Sequence, residues 1–318
     1  MISRRSALRT VGTVLASAAL AGRAAAEPEW TVEETPTENT LHDVVYTSEG
    51  AYAVGGDGLI LERADEGWRT VTDGGVSGNG DNLRGAGVTD DGDRLWVVGA
   101  SGAIGEFDPA SGSLTDRSAP QDNTNNFLDV AVTCEAGDAN VYVADASGIV
   151  SYSFENGRSE TWESVQIGQG NGLPGIDFYD VRSGHVVNTN ASVFETTDGS
   201  TYERIGVPDA DNSLYGIDSD GSNDVWAVGG GGTVQRYTGR WERTNLGNLT
   251  LRDVNVEDGA GYAVGESGRV FEYTGTWEED TTETEQNLRG LTLGEPNVAV
   301  GDSGTVIVKD NPGGILPV

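Results

Sequence analysis

The sequence is poor in the residues that carry much of protein chemistry. Its 318 residues include one cysteine, Cys134, one methionine, one lysine, Lys309, and two histidines, His42 and His185. A single cysteine excludes an intramolecular disulfide and a Cys-rich zinc site. Two histidines far apart in sequence leave little for a His-based metal centre. Positive charge is scarce as a class: 19 Lys and Arg stand against 51 Asp and Glu, a formal net charge of −32. A field of that sign repels phosphate backbones, which excludes a general nucleic-acid binder. Long helical periodicity is absent beyond the N-terminal stretch. What remains is 36% hydrophobic residues with seven Trp, enough for a buried core, so the charge is not a sign of disorder.

The charge has a cause outside any partner. An acid-rich, Lys-poor composition with small hydrophobic residues resembles proteins of salt-loving archaea. In molar salt the Debye length falls to about 3 Å and self-repulsion is screened. A cation-binding acidic site is the competing explanation.

Residues 1–26 read as an address. Ser3-Arg4-Arg5-Ser6-Ala7-Leu8 is a twin-arginine pattern, followed by an uncharged apolar run from Val11 to Ala21 and then by Ala24-Ala25-Ala26. A positive start, a short apolar middle and a small-residue cleavage site are the parts of an export signal. The run is too short to span about 30 Å of hydrocarbon as a helix. No cysteine stands at the cleavage region, so a lipoprotein is excluded. Export in the folded state, to the cell surface or the medium, is the expectation. Two glycosylation sequons, beginning at Asn190 and Asn248, fit such a location.

From residue 27 onward one unit repeats. Val54-Gly55-Gly56-Asp57-Gly58-Leu59-Ile60 returns as Val98-Gly99-Ala100-Ser101-Gly102-Ala103-Ile104, and again around Asp145, Gly229, Gly265 and Gly301, with a degenerate copy around Thr189. Anchor positions 55, 99, 145, 189, 229, 265 and 301 lie between 36 and 46 residues apart. That period is the size of a four-stranded propeller blade. Each copy offers four short strands. The innermost follows the pattern of Leu41-His42-Asp43-Val44, and its fourth-blade copy is read as Phe178-Tyr179-Asp180-Val181. The second strand is of the Tyr52-Ala53-Val54-Gly55 type, ending in a Gly-rich hairpin that needs backbone angles other residues resist. The fourth strand opens on an aromatic at Trp68, Trp162, Tyr202, Trp241 and Trp277, with only Leu114 in the second copy.

The seventh copy ends at Lys309 with no aromatic strand after it, while Trp30-Thr31-Val32-Glu33 is such a strand without a blade. Placing Trp30 in blade seven completes both and removes an open sheet edge. The expected fold is all-β: residues 27–318 form one seven-bladed β-propeller of four-stranded antiparallel blades, closed by the N-terminal strand.

These motifs resemble the exported propellers grouped with the photosystem II assembly and stability factors. They also resemble the wider BNR, or Asp-box, repeat proteins, through Thr196-Thr197-Asp198-Gly199-Ser200-Thr201-Tyr202. The resemblance implies a non-enzymatic disc that docks another protein. The photosynthetic client itself does not carry over to a salt-adapted archaeal chain.

One position concentrates the scarce positive charge. The residue after the first apolar position of the innermost strand is His42, Arg84, Leu128, Tyr179, Tyr215, Arg252 or Arg289. Equivalent blades would place these in one ring around the central channel, with Arg252, Arg289, His42 and Arg84 on four consecutive blades. Arginine holds carboxylate or phosphate through bidentate, charge-assisted bonds, and tyrosine is enriched at binding surfaces. His42, Arg84, Tyr179, Tyr215, Arg252 and Arg289 are therefore the candidate binding residues. The structural alternative is that Arg pairs with the adjacent Asp43, Asp129, Asp180 and Asp253 and holds the disc closed.

Other sites are weaker. Asp218, Asp220 and Asp224 surround a Gly turn, as do Asp90, Asp91 and Asp93, but the EF-hand order is missing. No catalytic residue, metal ligand or cofactor is expected, and Cys134 reads as a small packed residue. The expected function is secreted or cell-surface binding or scaffolding by a monomer, its partner a protein or an anionic or glycan ligand of the envelope. The alternative is a secreted carbohydrate-active propeller, either a lectin or a sialidase-like hydrolase.

Overall fold

The computed structural model describes residues 29–207 and 211–311; the export address at 1–26 lies outside them. Short β-branched runs broken by Gly turns form seven four-stranded antiparallel sheets. The innermost strands are Leu41–Thr47, Leu83–Val88, Phe127–Thr133, Gly175–Asp180, Leu214–Gly221, Leu251–Glu257 and Leu288–Thr292. Each packs on the next, and the seventh packs back on the first, so the ring is closed. The core lies between blades. Leu41, Val44 and Ala53 of blade one, for example, bury against Val298, Val300 and Val306 of blade seven. Among the described residues no helix is long and apolar enough to cross a membrane.

The first and last described strands meet as the leading Trp strand requires. Thr31, Val32 and Glu33 pair antiparallel with Val308, Ile307 and Val306 and complete blade seven. This strand is gripped from both sides. Towards blade six, Trp30 Nε1 donates to Asp280 Oδ2 at 3.1 Å. Towards blade one, Arg63 donates twice to Glu33, and Trp68 Nε1 donates to Glu33 Oε2 at 2.8 Å. Arg63 holds the Glu33 carboxyl below the usual carboxylate range, against the opposing effect of burial.

The hairpins after the second strands carry the Gly signature for a steric reason. In the turn Ala100–Gly102, Ser101 and Gly102 have φ of 57° and 77°. A Cβ on Gly102 would lie 2.3 Å from the Asn123 carbonyl oxygen. The turn therefore tucks under the next blade, and only glycine fits there.

Aspartates clip neighbouring blades together through backbone rather than through arginine. Ala86 N–H of blade two donates to Asp43 Oδ2 of blade one at 2.8 Å. Ile176 N–H donates to Asp129 Oδ2 at 2.9 Å, and Leu291 N–H to Asp253 Oδ2 at 2.8 Å. One level deeper, Ser219 N–H donates to Asp177 Oδ2 and Val256 N–H to Asp218 Oδ2. Five of the blade junctions thus carry a carboxylate that satisfies an amide of the following blade's innermost strand. Where glycine takes the Asp position it permits close approach: a Cβ on Gly290 would lie 2.7 Å from Asp43 Cα.

Blade four departs from the expected register. Gly175 pairs with Val187 there, as Asp43 pairs with Val54 and Asp129 with Ala144. Leu173-Pro174-Gly175-Ile176 is thus the fourth copy of the strand start, not Phe178-Tyr179-Asp180-Val181. The hairpin anchor shifts likewise. Asn188 Oδ1 accepts from Asn190 and Ser192 N–H, as Asp145 Oδ1 accepts from Ser147 and Ile149 N–H, so residue 188 and not 189 is the equivalent position.

Candidate functional site

Six ring positions line one mouth of the central channel. His42, Arg84, Leu128, Tyr215, Arg252 and Arg289 surround a cavity of about 410 Å³, counting its open mouth. The seventh place is taken by Pro174. Tyr179, expected in this ring, is not there. It stands near the far end of its strand, its ring centroid 5.8 Å from that of His185. The cause is the register of blade four: Pro174 and Gly175 occupy the strand start, and Tyr179 falls where the strand leaves the channel. Asp180 moves with it and is exposed, where it accepts a bond from Val181 N–H.

The three ring arginines are not equivalent. Arg252 Nη2 donates to Glu266 Oε1 at 3.2 Å, and its guanidinium lies 4.7 Å above the Tyr215 ring. Arg289 Nε donates to Asp302 Oδ1 at 2.5 Å. Glu266 and Asp302 hold the same place, the first residue of the turns Glu266–Gly268 and Asp302–Gly304. Each acid is braced: Glu266 also accepts from Thr250 N–H, and Asp302 from Asn287 Nδ2 and Thr40 Oγ1. In blade two that place is Ala100, and the turn contains no acid. Arg84 has no ion pair among the described residues, and its Nε is buried without a hydrogen-bond partner.

His42 is a neutral member of the ring. Burial lowers its pKa first, Arg289 and Arg84 lower it further, and Asp302 opposes them, leaving it at about 4. The expected four-blade run of positive charge is therefore three guanidiniums around a neutral imidazole near neutral pH. Asp43, Asp129 and Asp253 also line the mouth, with their carboxylates bound to backbone N–H groups. Among the described residues Glu266 reaches the ring from its turn, paired with Arg252. A second cavity of about 510 Å³, counting its open mouth, lies further along the same strands, with Val45, Val88, Val132 and Phe178 in its wall beside Tyr46 and Asp177.

The acidic turns serve the scaffold. Asp218 is 2% exposed and clips Val256, whereas Asp224 is exposed on the following strand. Asp90 Oδ2 accepts from Cys134 N–H, and Asp91 accepts from Thr89 Oγ1 and Ala136 N–H. Among the described residues no group of three or more His, Cys, Asp or Glu is placed to hold a metal. Asp198, in the loose Asp-box, closes the outer hairpin of blade four by accepting from Ser200 and Thr201 N–H.

Two features escaped sequence reasoning. Pro174 was hidden because proline and glycine read as loop. The acid at the head of the turn was visible in the aligned copies, where Gly56, Ala100, Gly230, Glu266 and Asp302 stand in one column. Its meaning required the geometry of Arg252 and Arg289.

No protein-family model matches the chain, and no curated protein does. Solved structures share its fold. YCF48 bound to a D1 peptide superposes with a TM-score of 0.70 at 14% identity, covering 92% of this chain and 100% of that one. YCF48 from Cyanidioschyzon merolae gives 0.68 at 15% identity, with 90% and 100% covered. Virginiamycin B lyase from Staphylococcus aureus gives 0.76 at 12% identity, again with 90% and 100% covered. A peptide-bound protein and a lyase both use this architecture, so the likeness carries the fold and not the activity.

Proposed function

We propose that this propeller is a non-enzymatic binding or scaffolding module that docks a protein partner on the face bearing His42, Arg84, Tyr215, Arg252 and Arg289. The observation that carries the reading is the convergence of three guanidiniums on one open mouth in a chain of net charge −32. Guanidiniums aimed at a common opening favour an anionic group, and Tyr215 adds an amphipathic contact surface. The neighbour described as bound to a D1 peptide shows that this architecture accommodates a peptide in another protein.

The reading includes export by the twin-arginine route, a location at the cell surface or outside it, and a salt-adapted acidic surface. It retains the resemblance to assembly-factor propellers as a guide to mode, not to client. It is favoured over a sialidase-like or other carbohydrate-active propeller because Glu266, which reaches the ring through Arg252, is engaged by that guanidinium and by Thr250 N–H, and the three aspartates at the mouth accept backbone N–H bonds at blade junctions. The test is affinity capture at high salt from the envelope fraction of the source cells. The bait is the wild-type chain, and the control is a variant with Arg84, Arg252 and Arg289 all changed to Ala. Docking on this face predicts partners recovered by the first and not the second. Equal recovery overturns it.

A further inference from the structure

We propose that Arg84 is the anchor of the docking site, holding a carboxylate of the partner in the place that Glu266 and Asp302 fill beside the other two ring arginines. The inference rests on the docking reading and sharpens it to one residue and one ligand chemistry.

Blades two, six and seven all carry Arg at the same strand position, as Arg84, Arg252 and Arg289. All three strands are followed by the same tight turn. In blades six and seven the turn opens on an acid, and that acid takes the guanidinium at 3.2 and 2.5 Å. The fold therefore shows twice what this arginine position binds: a carboxylate presented by the first residue of the turn. In blade two the turn opens on Ala100, and the same position lacks its anion. Arg84 is left with a buried, unpartnered Nε at the wall of an open cavity. A buried donor without a partner is costly, and most are satisfied in native proteins. A carboxylate supplied from outside satisfies it and gives the fork geometry that guanidinium favours.

Arg252 and Arg289 then act as a second tier. Their charges are already compensated, so they contribute to the field at the mouth less than their number suggests. Arg84 has no ion pair among the described residues and keeps an unpartnered Nε. The preferred ligand is a single carboxylate on an extended peptide.

The test uses an internal competitor. Ala100→Glu installs in blade two the acid that blade six already has, at a turn position where the fold tolerates it. The probe is a fluorescein-labelled hexapeptide ending in Leu-Ala-Glu, compared with the form in which the glutamate side chain and terminus are both amides. Binding is followed by fluorescence anisotropy in the lowest salt at which circular dichroism shows the chain folded. The expected result is that Arg84→Ala and Ala100→Glu each weaken the acidic peptide about tenfold or more, and that the amide form binds the wild type as weakly. The double variant Arg252→Ala/Arg289→Ala should bind closer to wild type than Arg84→Ala does. If Arg84→Ala and Ala100→Glu both bind within about twofold of wild type while the triple arginine variant does not bind, the anchor assignment is wrong and the docking face stands. If the triple variant also binds as wild type, or the wild type shows no saturable binding, both fail. Should Ala100→Glu not fold, Arg84→Ala and Arg84→Lys decide: both weakened supports the bidentate anchor, neither weakened overturns it.

Discussion

Trp30 and Lys309, from opposite ends of the described chain, donate to the same atom, Oδ2 of Asp280, at 3.1 and 2.7 Å. Asp280 belongs to the outermost strand of blade six, Trp277–Asp280. Both donors belong to blade seven, the blade built from the two ends. The chain's single lysine is 6% exposed, also reaches Glu272 at 3.1 Å and lies 5.1 Å from the Tyr262 ring centre. Burial pulls its pKa down, and the donated bonds to Asp280 and Glu272 more than offset this, so the ammonium stays charged. One carboxylate thus locks the closing blade to its neighbour.

Replacing Asp280 with Ala removes the acceptor of Trp30 and one of the two carboxylates that hold Lys309, with Glu272 left to pair with the ammonium. Loss of about 1–3 kcal/mol is expected from the buried donor left unsatisfied. Chemical denaturation of the variant reads it directly. A change below about 0.5 kcal/mol would mean that the strand pairing of Thr31–Glu33 closes the ring without this clasp.

The register of blade four gives a paired test. Asp129→Ala leaves the Ile176 N–H without its acceptor between blades three and four and should cost about 1–3 kcal/mol. Asp180→Ala, at a position that the sequence pattern alone makes look equivalent, should stay within about 0.5 kcal/mol because Asp180 is exposed. Equal costs would contradict the assignment of Leu173-Pro174-Gly175-Ile176 as the strand start.

Acid should destabilise the disc through its two histidines. His185 is fully buried between blades four and five, with Nδ1 2.7 Å from Ser219 Oγ and Nε2 4.0 Å from Glu195 Oε1, and burial lowers its pKa to about 4. His42 is depressed to about 4 by burial and by Arg289 and Arg84. Each is neutral in the fold, while in the unfolded chain it takes a proton near pH 6.5. Stability is therefore full above about pH 6.5 and falls as pH drops towards about 4, with a slope of up to about 1.4 kcal/mol per pH unit for each histidine. His185→Gln should remove one histidine's share of that slope, whatever it does to stability at pH 7. An unaltered slope across that window would rule out His185 as a source.

On the proposed docking reading, His42 links pH to affinity. An anion at the mouth opposes the field of Arg84 and Arg289 and raises the imidazole pKa, so the complex takes up protons. Affinity for the acidic peptide should rise as pH falls from 7 to 5, and His42→Gln should flatten the profile. A profile that falls towards acid in the wild type would contradict the placement of the ligand beside His42.

Much of the architecture was legible because a seven-fold repeat averages out local ambiguity. Gly102 is required by φ of 77° and by the Asn123 carbonyl, so its column survives in nearly every copy. Trp30 betrayed the closure because an aromatic strand had no blade of its own. Blade four was misread because Phe178-Tyr179-Asp180-Val181 imitates Phe127-Leu128-Asp129-Val130, whereas the true copy contains proline and glycine at a strand entrance. The separation of Phe178 from its hairpin was shorter than in any other copy, and that was the available warning. The ring itself was legible for five of six candidates. The difference between Arg84 and its two sisters was not, since ion pairing depends on how a turn faces a neighbouring strand end.

On the proposed reading the ring arginines serve docking more than folding. The most direct measurement takes partner capture and melting temperature on one preparation of the Arg84/Arg252/Arg289→Ala variant, against wild type. Partly exposed pairs such as Arg252–Glu266 and Arg289–Asp302 contribute about 0–1 kcal/mol each, so a small change in melting temperature is expected together with loss of capture. Capture at the wild-type level from a variant that melts well below wild type would contradict the claim and leave the ring a structural belt.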